Sequence, residues 1–241
     1  MVFARSSFAL RPRRLALASS LFGLGLYALI PRIHADSDAV DPDTGIVFPR
    51  TLRVPSQFKI PPLELVGLGV RTVSFLGIQV YSVAFYADLS SPALQISRTM
   101  SAEDKIDHIV RNTACLLRII PTRGTSYTHL RDAFLRALQG RLVAGQKQGT
   151  ITQDDAQAVA GPMRALKTLF PNTALAKHAS LDLYIPAPVS GQPRPLIARD
   201  LGAVQNTWVA TELFLYYFAG AGASPKLRTT TVARLEAFET A

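Results

Sequence analysis

The chain has 241 residues, of which 48% are hydrophobic and 18% charged, and its formal net charge at pH 7 is +9. This composition is that of a folded protein and excludes a wholly disordered chain. Five of the 26 lysines and arginines, and none of the 17 acids, lie in residues 1–33, so the remainder carries 21 cations against 17 acids. Because that remainder has neither a strong positive charge nor a basic cluster with interleaved aromatics, nucleic-acid binding is not expected.

Residues 1–33 have the composition of a targeting leader. The first 14 residues contain arginines and serines without an acid, as in mitochondrial presequences. Residues 15–30 are an uncharged run of 16 residues, slightly shorter than the ~20 that cross a bilayer core. We predict a mitochondrial leader whose run 15–30 is an inner-membrane anchor or a sorting segment; a secretory signal is the alternative. If the run stays in the membrane, the domain should face the intermembrane space.

Residues 34–56 contain four aspartates, several prolines and few large apolar residues, which predicts an exposed linker. A single domain is then expected over residues 57–241. The single cysteine, Cys115, excludes an internal disulfide and, because it lies in an apolar run, is expected to be a buried inert thiol.

The pattern of the domain predicts strands that recur between helices without regular alternation. Gly67, Gly69 and Gly77 should mark close backbone approaches or bulges, and Gly161-Pro162 should interrupt or kink its helix. The predicted strands are 63–74, 77–88, 114–121, 180–186 and 195–200, and the predicted helices begin after Ser101, Ser126, Thr152, Asn206 or Thr207, and Ser224. The predicted class is α+β, an antiparallel sheet with helices layered on one face.

Arg71 is the one cation inside the long apolar stretch 58–88, whose other cation, Lys59, lies at its start. On a strand it would share a face with Val73 and Phe75. A guanidinium on an apolar face must be paired, reach solvent or bind an anionic ligand. A salt bridge to Asp88 or Glu64 is therefore one possibility, and a ligand site is the other.

Other patterns of catalytic or metal chemistry are absent from the sequence. There is no Gly-x-Ser-x-Gly motif, and the four histidines do not have the spacing of zinc ligands. Arg118, Arg123 and Arg131 flank the turn around Gly124, where they could form either a solvated rim or an anion site before a helix.

Several motifs together resemble the chalcone isomerase superfamily, in particular its fungal mitochondrial chalcone-isomerase-like members. The resemblance rests on GVRTVSFLGIQVYSVAFYAD, RIIPTRGTSYTHLRDAFLRAL, SLDLYIP and the helix around Trp208, and it covers residue 58 to the C-terminus. It implies an open-faced β-sandwich in which an antiparallel sheet carries a layer of helices. Members of the superfamily are chalcone isomerases, fatty-acid-binding proteins or, in the fungal group, proteins described as haem-binding.

The resemblance also implies roles for particular residues. Arg71 matches the arginine that polarises substrate in the isomerases and pairs with the carboxylate in the fatty-acid binders, and Tyr127 falls at the position of an active-site tyrosine. Three polar positions of the isomerases are replaced here by Leu76, Phe134 and Leu213, so binding is favoured over catalysis, and these three residues are expected to contact the ligand together with Arg71, Tyr127 and Arg123.

Three functions follow as expectations. The first is a haem-binding mitochondrial protein in which Arg71 neutralises a carboxylate or propionate, Arg123 is a further ligand-binding residue, and His129, preferred over His108 and His178, is the axial ligand. The second is a carrier of a small apolar carboxylate such as a fatty acid. The third is an intramolecular lyase or isomerase that uses Arg71 and Tyr127. The opposing possibility is a salt-bridged Arg71 in a cleft filled by apolar side chains.

Overall fold

The fold is described from a computed structural model, which describes residues 38–56, 60–73, 77–220 and 222–240. Residues Asp36–Ala241 form one compact unit. The leader with its segment 15–30, and Leu76, lie outside the described residues, so the predictions made for them stay predictions. Within the described ranges, no helix combines the length and apolar character needed to cross a membrane.

Strands and helices occupy most of the described chain. The strands are β1 (Ala39–Val40), β2 (Val47–Phe48), β3 (Thr51–Leu52), β4 (Leu63–Val73), β5 (Ile78–Ala87), β6 (Cys115–Pro121), β7 (Thr125–Ser126), β8 (Ala174–Leu175), β9 (Leu181–Ile185), β10 (Pro195–Ala198) and β11 (Gly202–Gln205). The helices are α1 (Ala102–Asn112), α2 (Tyr127–Lys147), α3 (Gln153–Leu169), α4 (Thr207–Tyr216) and α5 (Pro225–Leu235).

The main sheet of the described chain is antiparallel and has the strand order β11-β10-β9-β6-β5-β4-β3. Strand β5, which lies between β6 and β4, shows why both faces are covered. Tyr81, Val83 and Phe85 point into the core under the helices, whereas Ala84 and Tyr86 point to the opposite face. This arrangement confirms the α+β class and the antiparallel sheet with a helical layer.

The helix starts agree with the capping residues read from the sequence. The Thr152 hydroxyl accepts a hydrogen bond from the Asp155 amide at 3.1 Å, and the Asp155 carboxylate accepts one from the Thr152 amide at 3.0 Å. Of the two outcomes expected at Gly161-Pro162, the interruption is wrong, because α3 runs through both residues, and the kink stays a prediction. A proline leaves the carbonyl four residues earlier without its helical partner, and that residue, Ala158, is exposed, so water can hydrate the carbonyl.

The predicted exposed linker 34–56 is wrong for much of its length. Phe48 is fully buried, and Ile46 and Leu52 lie beside it in a second apolar cluster on the sheet face opposite the helices. Asp41, one of the aspartates that suggested exposure, is also buried and accepts a hydrogen bond from the Ser82 hydroxyl at 2.6 Å. The fold therefore begins before residue 57, because this segment covers apolar sheet surface.

Helix α5 lies directly against strand β4. The Thr230 hydroxyl accepts a hydrogen bond from the Leu68 amide at 3.0 Å and donates one to the Leu68 carbonyl at 2.7 Å. A side chain at Gly67 would collide with Thr231, and one at Gly69 with the backbone of α5. The prediction of close backbone approach at Gly67 and Gly69 is confirmed.

Candidate ligand-binding cleft

Arg71 lies on β4 opposite Tyr81 of β5, on the sheet face that carries the helices. Its Nη1 donates a hydrogen bond to the Ala223 carbonyl at 3.0 Å, and the side chain is half-buried. The salt bridges considered from the sequence do not form. Glu64 lies 3.8 Å from Arg234, and Asp88 accepts hydrogen bonds from Ser90. In the described part of the chain, Arg71 has no carboxylate partner.

Three tyrosines surround the Arg71 guanidinium. Burial by itself would lower the pKa of Arg71, but the neighbouring phenol groups of Tyr81, Tyr216 and Tyr217 raise it. The hydroxyls of Tyr81 and Tyr217 lie 3.0 Å apart in a buried hydrogen bond. Burial raises the pKa of both phenols, so they are neutral at pH 7 and do not cancel the charge of Arg71.

A cavity of about 480 Å³ opens beside Arg71, between the ends of β4 and β5 and the start of α2. We call it the arginine cleft. Its described lining residues include three arginines and one histidine but no acid. They are Arg71, Val73, Val80, Tyr81, Arg123, Gly124, Thr125, His129, Leu130, Ala133 and Arg136. The predicted common face of Arg71 and Val73 is confirmed, since both contribute to this wall.

A second cavity of about 370 Å³ continues along α2, and we call it the helix recess. It shares Arg71, Ala133 and Arg136 with the arginine cleft. Its remaining described lining is mainly small side chains of α2, with one further cation. The full set is Arg71, Ala133, Arg136, Ala137, Gly140, Arg141, Ala144, Tyr216 and Ala219. Arg141 is paired with Glu212.

The structure brings only part of the expected site together. Arg71, Arg123 and His129 line the arginine cleft, whereas Tyr127, Phe134 and Leu213 line neither cavity. Phe134 and Leu213 are 2% and 0% exposed and lie in the core beneath the helices, contrary to the predicted ligand contacts. Tyr127 is half-buried and packs against the same core.

The helical period explains this difference. Leu130, Phe134 and Leu138 follow the stripe of α2 that packs on the sheet. His129, Ala133 and Arg136 form the neighbouring stripe, which opens on the cleft. Arg136 was missed from the sequence, although its spacing of two helical turns from His129 places it on the same face.

The other candidate side chains have structural roles. Arg118 lies on the opposite sheet face, where it makes two hydrogen bonds of 2.8 Å to Asp182. Arg131 is paired with Asp132 at 2.8 Å. Of the three arginines around Gly124, only Arg123 reaches the cleft. Cys115 is fully buried, and burial raises the pKa of its thiol to about 12, which confirms the expectation of an inert thiol.

The three described histidines differ in their positions. The Nε2 atom of His108 accepts a hydrogen bond from the Gln95 amide at 3.4 Å, away from either cavity. His178 is an exposed turn residue with a φ of 66°. His129 lines the arginine cleft, and its imidazole makes no hydrogen bond to another described residue.

Comparison with known proteins places this fold and cleft in a family context. A family model described as chalcone isomerase like matches residues 61–108 and 95–232. The mitochondrial protein "Altered inheritance of mitochondria protein 18" of Eremothecium gossypii is 24% identical over 258 aligned positions, which cover 86% of this chain and 80% of that protein. An uncharacterized protein of Schizosaccharomyces pombe is 33% identical over 98 residues, covering 33% of this chain and 38% of that protein.

Among solved structures, the crystal structure of an Arabidopsis thaliana fatty-acid binding protein is similar to this chain, with a TM-score of 0.62 and 18% identity. The match covers 84% of this chain and all of the Arabidopsis chain. At this identity the likeness concerns the fold, an open-faced arrangement of a curved antiparallel sheet under helices.

Proposed function

Because the chain belongs to the chalcone isomerase-like family, we propose that it is a ligand-binding member, which holds an apolar molecule by an anionic group at Arg71. The observation that carries this proposal is a half-buried guanidinium at a cavity wall, without a carboxylate partner in the described part of the chain. A carboxylate bound there would form a charge-assisted, bidentate contact. The pKa of Arg71 is raised, so the cation persists throughout the physiological range.

A fatty acid is the first ligand that we propose. Val73, Val80 and Leu130 supply apolar surface for a hydrocarbon chain next to Arg71. The similarity to a fatty-acid binding protein of the same fold supports this choice.

Substitution of the anchor tests the proposal. We expect Arg71→Gln to weaken decanoate binding about ten- to a hundredfold, since a hydrogen bond to a charged group contributes ~1.5–3 kcal/mol. Isothermal titration calorimetry on the full chain measures this effect. Arg164→Gln is the matched control, because Arg164 is an exposed arginine of α3 that lines neither cavity. Equal decanoate affinities for wild type and Arg71→Gln would refute the role of Arg71.

Haem is the second ligand that we propose, and the specific observation in its favour is His129 at the wall of a cleft rich in arginine. An imidazole free of hydrogen bonds within the described chain suits an iron ligand, and guanidinium groups suit propionates, so the residues fit this group. His129 would hold the iron, and Arg71, Arg123 and Arg136 the propionates. A bound haem would supply redox chemistry or binding of small gases.

Titration with haem tests this second ligand. We expect a Soret band in the full chain that shifts or weakens in His129→Ala and is unchanged in the control His178→Ala, whose histidine lies outside both cavities. A titration without a Soret shift in the wild type would reject haem and leave the fatty acid.

We do not expect efficient chalcone isomerisation. The lyase hypothesis needs Arg71 and Tyr127 at one substrate, but Tyr127 lines neither cavity. Turnover of chalcone at the spontaneous rate is the expected outcome of an assay. A clear acceleration that disappears in Tyr127→Phe would restore the enzymatic alternative.

For the cellular location, we propose the mitochondrion, with residues 15–30 attached to the inner membrane and the domain in the intermembrane space. The composition of residues 1–33 and the mitochondrial label of the Eremothecium gossypii relative support this location. Protease protection of isolated mitochondria with intact and ruptured outer membranes tests it, because the domain should be digested only after rupture.

A further inference from the structure

The arginine cleft carries more positive charge than one carboxylate can balance. Arg71, Arg123 and Arg136 line the same cavity, and no acid belongs to its described lining. The helix recess that continues from it shares two of these arginines and likewise has no described acid at its wall. Such a cluster favours binding of an anion, because like charges around one cavity repel each other and an anion between them relieves this repulsion.

The surrounding carboxylates are engaged elsewhere. Asp132 lies one helical turn before Arg136, but it accepts a hydrogen bond from the Arg131 Nε at 2.8 Å. Glu212 is paired with Arg141 and lies 3.6 Å from Arg111. Neither Arg123 nor Arg136 forms an ion pair within the described ranges, although both are exposed enough to move toward a ligand.

These charges indicate the chemistry of the ligand's head group. A monocarboxylate bound at Arg71 would leave two guanidinium groups at the cleft unbalanced. A head group with two negative charges, such as a phosphate monoester or two neighbouring carboxylates, would offer oxygen acceptors to these guanidinium groups as well. Guanidinium groups bind both kinds of oxyanion in a bidentate way.

We propose that the ligand of the arginine cleft is an amphiphile with a dianionic head group, and that Arg123 and Arg136 bind this head group together with Arg71. This inference rests on the proposed binding function and goes further by assigning the head group. The apolar part of the ligand packs on Val73, Val80 and Leu130.

Three probes with the same tail separate the possibilities: decanoate, decyl phosphate and decylmalonate. Titration of the full chain at constant ionic strength should show at least one dianion binding about tenfold or more tightly than decanoate, because an added charge-assisted hydrogen bond contributes ~1.5–3 kcal/mol. Preference for decyl phosphate would identify a phosphate head group, and preference for decylmalonate would identify paired carboxylates.

Variants at the two outer arginines test the assignment of residues. Arg123→Gln and Arg136→Gln should each weaken binding of the preferred dianion far more than binding of decanoate and so remove most of the preference, whereas Arg71→Gln should weaken binding of all three probes. Arg164→Gln removes the same charge from α3 and should change none of them. Because both outer arginines are exposed, we expect these variants to keep the wild-type Tm.

Different binding results would refute the dianionic head group, the assignment of the outer arginines and the proposed function. If decanoate binds in an Arg71-dependent way but neither dianion binds more tightly, the dianionic head group is refuted and the proposed function stands. If the dianion is preferred but Arg123→Gln or Arg136→Gln keeps the preference, the assignment of that arginine to the head group is refuted. If none of the probes binds the wild type, the proposed function and the inference both fail.

Discussion

Two arginines of the main sheet, on strands that both pair with β5, show how position decides the role of a residue. Arg118 on β6 forms two hydrogen bonds of 2.8 Å with Asp182, a residue that is 3% exposed, and these hydrogen bonds raise the pKa of Arg118 despite its burial. Arg71 lies on the other sheet face and donates to a backbone carbonyl. The first arginine is thus a structural residue, and the second is the ligand anchor that we propose.

We expect Asp182→Asn to lower the free energy of unfolding by ~3–5 kcal/mol, because it leaves the partly buried Arg118 without its anion. Urea unfolding at pH 7 measures the change. Asp107→Asn is the control, since Asp107 forms an exposed ion pair with Arg111 that should contribute less than ~1 kcal/mol. Similar losses in the two variants would contradict a structural role for the buried pair.

At the scale of elements, the contact of α5 with β4 depends on strand residues without side chains. Gly67 and Gly69 allow the backbone of α5 to approach the strand, and the Ser224 hydroxyl at the start of α5 donates to the Val70 carbonyl at 2.8 Å. This contact also places Ala223, whose carbonyl accepts the hydrogen bond from Arg71. The packing of α5 therefore helps to hold Arg71, the proposed ligand anchor, in place.

Gly69→Ala should destabilise the protein by ~1–3 kcal/mol, because the added methyl group meets the α5 backbone and overpacks the contact. Thermal and urea unfolding measure this loss. In contrast, Gly140→Ala adds a methyl group in open space within α2 and should stabilise the protein by ~0.5–1 kcal/mol through helix propensity. A neutral Gly69→Ala would show that α5 can shift away from β4 at little cost.

At the scale of the whole molecule, buried titratable groups, namely tyrosine phenols and one cysteine thiol, lie within the fold, and the phenols occur on both faces of the sheet. Burial raises the pKa of Tyr81 and Tyr217, which lie under the helices. On the opposite face, burial raises the pKa of Tyr184 to about 12. Burial likewise raises the pKa of the Cys115 thiol to about 12. The folded protein therefore retains protons that the unfolded chain releases in alkaline solution.

The stability should consequently fall at high pH. Below about pH 8 the thiol and the phenols are protonated in both states, and above it the unfolded chain loses protons first, so the free energy of unfolding decreases as the pH rises toward 12. Urea unfolding at pH 8 and at pH 11 measures the decrease. Tyr217→Phe removes one of the titrating groups and should show a smaller decrease between these pH values. An equal or larger decrease would contradict this origin.

Local features of this protein could be read from the sequence. Ser101, Ser126 and Ser224 each cap a helix as expected, because a cap depends on a side chain and an amide three residues away. The order of strands and helices, and thus the α+β class, followed from such short-range patterns.

Contacts between residues that are distant along the chain could be seen only in the tertiary structure. The N-terminal segment resembled a linker because its few apolar residues are separated by aspartates, and only the uncovered sheet face made Phe48 a core residue. Likewise, the apolar stripe of α2 revealed which residues are buried but not which neighbouring stripe borders the cleft.

The ligand site combines both kinds of information. By itself, the sequence singled out Arg71, since a cation within an apolar strand requires a compensating partner. The tertiary structure decided that no described carboxylate is that partner, and that Arg123 and Arg136 converge on the same cavity. Convergence depends on how β4, the turn before α2 and α2 itself pack together, and side chains distant along the chain carry no local signal of that packing.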